Sequence, residues 1–233
     1  MSTPQRTPFA RFSFFLLKSG LWFIAVSLLL VLIFRFVPVP ITATMLFDSS
    51  GAERDWEPLA NISPNLTRAV IAAEDGKFCQ HSGFDTDAIE KAIKRNAQGG
   101  RMRGGSTISQ QTAKNVFLWQ GSGWTRYLRK VPEVWFTFLI ETFWGKPRII
   151  EVYLNVAETG IGTYGAEAGA KRYFNKSAAN LTRAEAARIA AILPLPKKRA
   201  VTGAGGFTRR YGNTIAARIG VVKRDGLDSC IYK

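Results

Sequence analysis

Between Leu21 and Phe34 the chain carries no charged residue: Leu21-Trp22-Phe23-Ile24-Ala25-Val26-Ser27-Leu28-Leu29-Leu30-Val31-Leu32-Ile33-Phe34. Apolar residues extend this run backward across Lys18, from Phe12 to Leu17, and forward across Arg35 through Phe36 and Val37. About 20 such residues cover the ~30 Å hydrocarbon core of a bilayer. Long basic side chains near either end can reach the headgroups. The pattern predicts a retained transmembrane anchor over 16–37, preceded by a short tail over 1–15. A cleaved signal peptide fits less well, because Arg35-Phe36-Val37-Pro38-Val39-Pro40 follows where a small-x-small cleavage site would stand.

Beyond the prolines, 38–62 reads as an extended or irregular connector, with Gly51 and Pro58 among mixed residues. Helical punctuation then takes over. Ser63-Pro64 is an N-cap with proline at the first helical position, and Leu66, Ala69, Val70 and Ala73 form an apolar stripe up to Glu74. Asp85 or Thr86 caps a second helix through Ala97, closed by Gly99-Gly100. Ser106 is the expected cap of a third, Thr107 to about Phe117. The aromatic-rich stretch Trp124–Trp144 is interrupted by Pro132, which kinks it unless a helix begins there. Pro147 opens another helix, and Thr182 with Glu185 makes a capping box ahead of Ala186–Leu193. A last amphipathic segment covers roughly 207–224. No run shows the period-2 alternation of several strands. A mainly α domain over 63–233 follows.

Charge narrows the setting. The chain of 233 residues has a formal net charge of +15, and all 17 acidic residues lie after position 37. Setting aside Arg6, Arg11, Lys18 and Arg35, the rest holds 28 basic against 17 acidic residues, a net of +11. Such a surface suits nucleic acid, an anionic membrane or a phosphorylated ligand. The basic, acid-free N-terminal tail favours a cytoplasmic N-terminus, which puts the main domain outside the cytoplasm and argues against nucleic acid. Cys79 and Cys230 are compatible with a disulfide or with two free thiols.

Two polar stretches carry candidate chemistry, Glu74-Asp75-Gly76-Lys77-Phe78 with His81-Ser82-Gly83-Phe84-Asp85, and Arg129-Lys130-Val131-Pro132-Glu133. Paired glutamates with Lys, Arg and amides nearby suit reaction at a sugar carbon bearing an anionic leaving group. At the end of an apolar helix, Glu74 faces the negative end of the helix dipole and apolar walls, which raise its pKa toward that of a general base; a surface acid is the plainer alternative. Gly104-Gly105-Ser106 ahead of a helix predicts free backbone N–H groups for an anion, with Gln110, Gln111 and Lys114 on the turns that follow. The alternative is an ordinary glycine turn. Arg126, Arg129, Lys130 and Glu133 read equally as an exposed salt-bridged face. His81, the only histidine, excludes a multi-histidine metal site and reads as a supporting hydrogen-bond group. Phe117, Leu118, Trp119 and Trp124 around Gly121 and Gly123 suit either a lipid-dipping loop or a buried cluster.

In order, these blocks resemble the monofunctional biosynthetic peptidoglycan glycosyltransferases, similar to the glycosyltransferase domain of class A penicillin-binding proteins and to lysozyme in fold. The resemblance covers roughly 41–200: Glu74-Asp75 with Phe78, His81, Gly83 and Asp85; Gly104 to Gln111 with Lys114 and Asn115; Arg129-Lys130 with Glu133; Ile149 to Asn155, then Gly160, Tyr164-Gly165, Ala170 and Tyr173-Phe174; and Leu181, Glu185-Ala186-Ala187 and Leu193-Pro194. Pro132 is a local departure. The resemblance implies a lysozyme-like helical domain that polymerises lipid II into glycan strands by inverting transfer, releasing undecaprenyl pyrophosphate, with no transpeptidase. It implies Glu74 and Glu133 as catalytic residues. Substrate binding falls to Lys114, Arg126, Arg129, Lys130, Ser106, Gln110, Gln111 and Asn115, and Glu133 is the candidate ligand of a Mg²⁺ or Mn²⁺ ion. Expected partners are lipid II, the growing glycan, the membrane and cell-wall synthesis or division proteins. The expected location is the bacterial inner membrane, single-pass, with the catalytic domain periplasmic. Two rivals are a lysozyme-like lytic enzyme, which needs no dense cationic site, and a membrane scaffold, which leaves the polar motifs unexplained.

Overall fold

A computed structural model describes residues 7–98, 105–121, 123–203 and 205–232, without the side chain of Asn96. The chain divides into two units after Val37. The first is the helix α1 (Pro8–Phe36), capped by Thr7, with proline in its first turn and side chains that are mostly exposed. Its 29 residues span about 43 Å at 1.5 Å per residue, long enough for a bilayer. The helix starts eight residues before the expected anchor.

The second unit is mainly α-helical. Its helices are α2 (Ala43–Leu46), α3 (Pro64–Glu74), α4 (Thr86–Ala97), α5 (Ile108–Phe117), α6 (Thr125–Leu128), α7 (Lys130–Phe143), α8 (Lys146–Val156), α9 (Ala166–Phe174), α10 (Arg183–Ile192) and α11 (Gly206–Arg224). Two groups form around separate apolar faces. α3 packs on α10 and α11, and α5 packs on α7 and α8. Val70, Ile71, Ile189, Ile192, Ile215 and Ile219 are buried in the first group, and Ile108, Phe136, Ile140, Ile149 and Ile150 in the second.

Local chemistry explains the helix limits. Thr182 and Glu185 form the expected capping box on α10, and Pro147 lies in the first turn of α8. Asp85 Oδ1 accepts the Ala88 N–H at 2.9 Å and so caps α4; the expected Gly99-Gly100 closure lies outside the described residues. Pro132 sits in the first turn of α7, where its missing N–H leaves no helical bond unmade, so the helix begins there instead of kinking. The cap of α5 is Thr107 and not Ser106. Thr107 Oγ1 accepts from Gln110 N–H, and Gln110 Oε1 accepts from Thr107 N–H in return.

The connector is more ordered than its mixed composition suggests. It contains α2, the strand β1 (Glu53–Arg54) and a 3₁₀ turn at Leu59–Asn61. β1 runs parallel to β3 (Thr163–Tyr164), which pairs antiparallel with β2 (Glu158–Gly160) in the order β1-β3-β2. These two- and three-residue strands are too short to show an alternating pattern. Long-range bonds hold the strap in place. Arg54 donates to the carbonyls of Val39 (2.7 Å) and Pro40 (2.6 Å). Buried Asn155 exchanges two hydrogen bonds with the Glu57 backbone, both at 2.8 Å, and Glu151 Oε2 accepts the Leu59 N–H at 2.9 Å.

The C-terminal segment returns to α3. Arg68 pairs with Asp228 at 2.6 Å, Tyr232 donates to Thr67 at 3.0 Å, and Cys79 is disulfide-bonded to Cys230 across 151 residues of sequence. Closing so long a loop restricts the unfolded chain by about 2–4 kcal/mol. Cys230→Ser is therefore expected to melt about 5–15 °C below wild type in one detergent and without reductant. Equal melting temperatures would show that the bridge adds nothing to the fold.

Candidate active site

The site begins where α3 ends. Apolar burial holds α3 against α10 and α11, and its last residue, Glu74, projects at the edge of that packing. Gln111, one turn into α5, donates from Nε2 to Glu74 Oε2 at 2.8 Å. Tyr153 of α8, fully buried, donates its hydroxyl to Gln111 Oε1 at 3.3 Å, which fixes the amide's orientation. Glu74 Oε1 receives no hydrogen bond among the described residues. Burial pushes the Glu74 carboxyl above the ordinary glutamate range, against the opposing pull of Gln111, Lys114 and Arg199. Burial, with the negative charges of Glu74 and Asp75, likewise pushes the Tyr153 phenol up and keeps it a donor.

Asp75 occupies the point where the two helix groups meet. Its Oδ2 accepts the Ile108 N–H at 3.0 Å at the start of α5, and His81 Nε2 lies 2.9 Å from Oδ1. The supporting role expected of His81 is thus visible. Gly104 of the expected anion cradle lies outside the described residues, and two of the first amides of α5 are taken by the protein itself. Ile108 N–H goes to Asp75, and Gln110 N–H to Thr107 Oγ1. Ser106 is exposed ahead of the cap, and Gln110 is buried in the capping box. Gly83, at φ +90°, fits where a Cβ would stand 2.8 Å from Thr137 Cγ2 of α7, and its carbonyl accepts from Thr107 Oγ1 at 2.6 Å.

The cationic part comes from α5 and the start of α7. Lys114 is partly buried, and burial lowers its ammonium pKa, assisted by the charges of Arg129 and Lys130; Glu133 and Glu74 oppose this. One lysine therefore stands within electrostatic reach of both glutamates. Arg129 and Glu133 are buried, not on a solvated face. Glu133 pairs with Lys130 at 2.5 Å and with Arg129 Nε at 3.5 Å, while Arg129 also donates to the carbonyls of Trp119 (2.9 Å) and Gln120. Glu133 Oε2 and Asn115 Oδ1 are buried without a hydrogen bond among the described residues. Arg126 stands apart, exposed and over its neighbour Tyr127. Trp119 and Trp124 are exposed while Leu118 is buried, so the loop divides between the two expected readings.

A Transglycosylase family profile matches residues 41–219, most of the chain, including Glu74, Lys114 and Glu133. The chain belongs to the transglycosylase family. This transglycosylase is 51% identical over 219 residues to a protein of Caulobacter vibrioides, an alignment covering 93% of this chain and 94% of that one. A Rhodospirillum centenum protein is 48% identical over 202 residues, covering 85% and 86%. One from Pseudomonas putida strain F1 is 46% identical over 216 residues, covering 89% and 87%. Each of the three is named biosynthetic peptidoglycan transglycosylase. The family places the domain in the lysozyme-like class, in line with the helical fold.

Some residues of the transglycosylase site carry no mark of their own in the sequence. Arg199, at the end of the basic run Lys197-Lys198-Arg199, acts on Glu74 from beyond the Pro194–Pro196 turn, and Tyr153 sits behind Gln111; spacing alone assigns neither to the site. Because Glu74 is pushed up, the folded state binds its proton more tightly than the unfolded chain does. Its contribution to stability is therefore greatest below the unfolded pKa and falls as pH rises through the folded one. Glu74→Gln is expected to melt a few degrees higher than wild type at pH 7, with the gap closing at acid pH. A Glu74→Gln melting point below wild type at pH 7 would contradict the burial.

Proposed function

We propose that this peptidoglycan glycosyltransferase polymerises lipid II into linear, un-cross-linked glycan strands, inverting the donor's anomeric carbon and releasing undecaprenyl pyrophosphate. The observation that carries this reading is one partly buried carboxylate oxygen, Glu74 Oε1, beside a lysine that reaches a second, buried glutamate. Glu74 removes the proton from the 4-hydroxyl of the acceptor sugar as that oxygen attacks C1 of the donor. The C1–O bond to pyrophosphate breaks, and the electron pair leaves with the phosphate oxygen. Pyrophosphate needs little protonation, so catalysis rests on charge neutralisation. Lys114, Arg129 and Lys130 provide it, with Asn115 and Gln111 lining the same space. Exposed Arg126 meets the substrate only at its outer edge.

Glu133 orients Arg129 and Lys130. Its Oε2, which accepts no hydrogen bond among the described residues and faces Arg129 Nε at 3.5 Å, is the oxygen that would hold a Mg²⁺ or Mn²⁺ ion, which commonly takes one carboxylate and completes its shell with substrate phosphates and water. Among the described residues no group of three carboxylate, histidine or cysteine side chains could hold such an ion without substrate. When bound, the ion would neutralise leaving-group charge.

The setting is consistent. α1 has the length to span the inner membrane once, and Arg6, Arg11 and Lys18 favour a cytoplasmic N-terminus. The Cys79–Cys230 disulfide suits an oxidising periplasm. A lipid-borne substrate then meets the site at the bilayer surface. Exposed Trp119, Trp124 and Leu128 suit the lipid interface.

The test is turnover of purified lipid II by full-length protein. Glu74→Gln is expected to lose at least about 100-fold in rate, the scale of a general base. Glu133→Gln is expected to lose rate and change its Mg²⁺ dependence. Wild-type protein that consumes polymeric glycan and not lipid II would sink the reading, and near-normal Glu74→Gln turnover would remove the base.

A further inference from the structure

A cavity of about 170 Å³ lies between helix α5 and the sheet, bounded by Gln111, Lys114 and Asn115 on one side and Glu158, Tyr164 and Pro194 on the other. Its two ends differ in charge. Lys114 supplies a cation at the end nearer Glu74 and Glu133, and Glu158 of β2 supplies a carboxyl opposite. Two acceptor oxygens of lining residues, Asn115 Oδ1 and Glu158 Oε1, are buried without a hydrogen bond among the described residues.

Glu158 has a neighbouring cation, but not a dedicated one. Lys197 Nζ lies 3.4 Å from Glu158 Oε1 and makes its shorter contact, 2.9 Å, with Asp48 Oδ2. Asp48 also accepts from Tyr164 (2.7 Å) and Ser50 (2.9 Å), and these bonds hold its carboxyl well below the usual range. Lys197 is thus committed chiefly to Asp48. Burial pushes the Glu158 carboxyl above the ordinary glutamate range. A buried acceptor with no hydrogen bond and only a shared cation at 3.4 Å is left under-satisfied. Solvent can fill a polar cavity of this size, at roughly 30 Å³ per water, and a ligand displaces that water favourably only by supplying donors in its place.

We propose that Glu158 is a specificity residue for the sugar that enters this cavity, its Oε1 accepting a hydrogen bond from a ring hydroxyl or an acetamido N–H. The inference rests on the lipid II reading and deepens it. The bipolar cavity orients its ligand, with phosphate oxygens drawn to Lys114 and the uncharged, donor-rich face of the amino sugar toward Glu158. An anionic group at the Glu158 end would be repelled. Glu158 touches substrate without taking part in bond making, so its loss falls on binding.

Steady-state polymerisation of lipid II by the full-length protein tests this. Glu158→Ala is expected to raise KM about tenfold with kcat within about twofold, the size of one lost hydrogen bond to a charged acceptor. Glu158→Gln, which keeps one acceptor oxygen, should fall between Ala and wild type. Lys197→Met, which removes the neighbouring cation and leaves Glu158, should keep KM within about twofold. An unchanged KM in Glu158→Ala overturns the inference while leaving the polymerase reading intact. So does Lys197→Met raising KM as far as Glu158→Ala, since the effect would then belong to the Asp48–Lys197–Glu158 packing. Wild-type protein inactive on lipid II would overturn the polymerase reading itself, and this inference with it.

Discussion

The site depends on one buried carboxylate. Asp75 lies immediately after α3 and holds the first amide of α5 with one oxygen and His81 with the other. The two helix groups also share apolar contacts, since Leu66, Val70 and Ile189 of the first line a small cavity with Tyr153 and Leu154 of the second. Asp75 adds the polar tie between the end of α3 and the start of α5. With that bond in place Gln111 meets Glu74, and Lys114 lies one turn further along the same helix face. A side chain without an acceptor oxygen there would leave the Ile108 amide and the His81 ring without their partner.

The same bond takes up the first amide of α5. A helix N-terminus attracts negative charge, and here the protein supplies that charge itself. On the lipid II reading, phosphate recognition falls to side chains, to Lys114 on the next turn and to Arg129 and Lys130 at the start of α7. Glu133 keeps those cations close together at the expense of its own burial. The two glutamates are thereby made unequal. Glu74 is shielded and has an oxygen free of hydrogen bonds among the described residues, whereas Glu133 is ion-paired with two partners.

Much of this was legible in the sequence where the signal is local. Ser63-Pro64, Pro147 and Thr182 with Glu185 set helix starts through bonds within three or four residues, and the helices begin there. The raised carboxyl of Glu74 followed from an apolar helix ending at an acid. Ser106 misled because Thr107, its neighbour, has the matching Gln110 three residues on. The rest depends on long-range pairing, which spacing does not encode. Asn155 on the Glu57 backbone, Asp75 on Ile108, Arg199 beside Glu74 and Lys197 between Asp48 and Glu158 all join distant parts of the chain. The choice between free thiols and a bridge for Cys79 and Cys230 was likewise a question of where the C-terminus returns.

The central claim is that burial at the end of α3 tunes Glu74 into the base. The pH dependence of kcat/KM on lipid II measures this directly. The account predicts an acid limb governed by a pKa above the ordinary glutamate range, absent from the residual activity of Glu74→Gln. A limb at the ordinary glutamate value, or one that persists unchanged in Glu74→Gln, would contradict it.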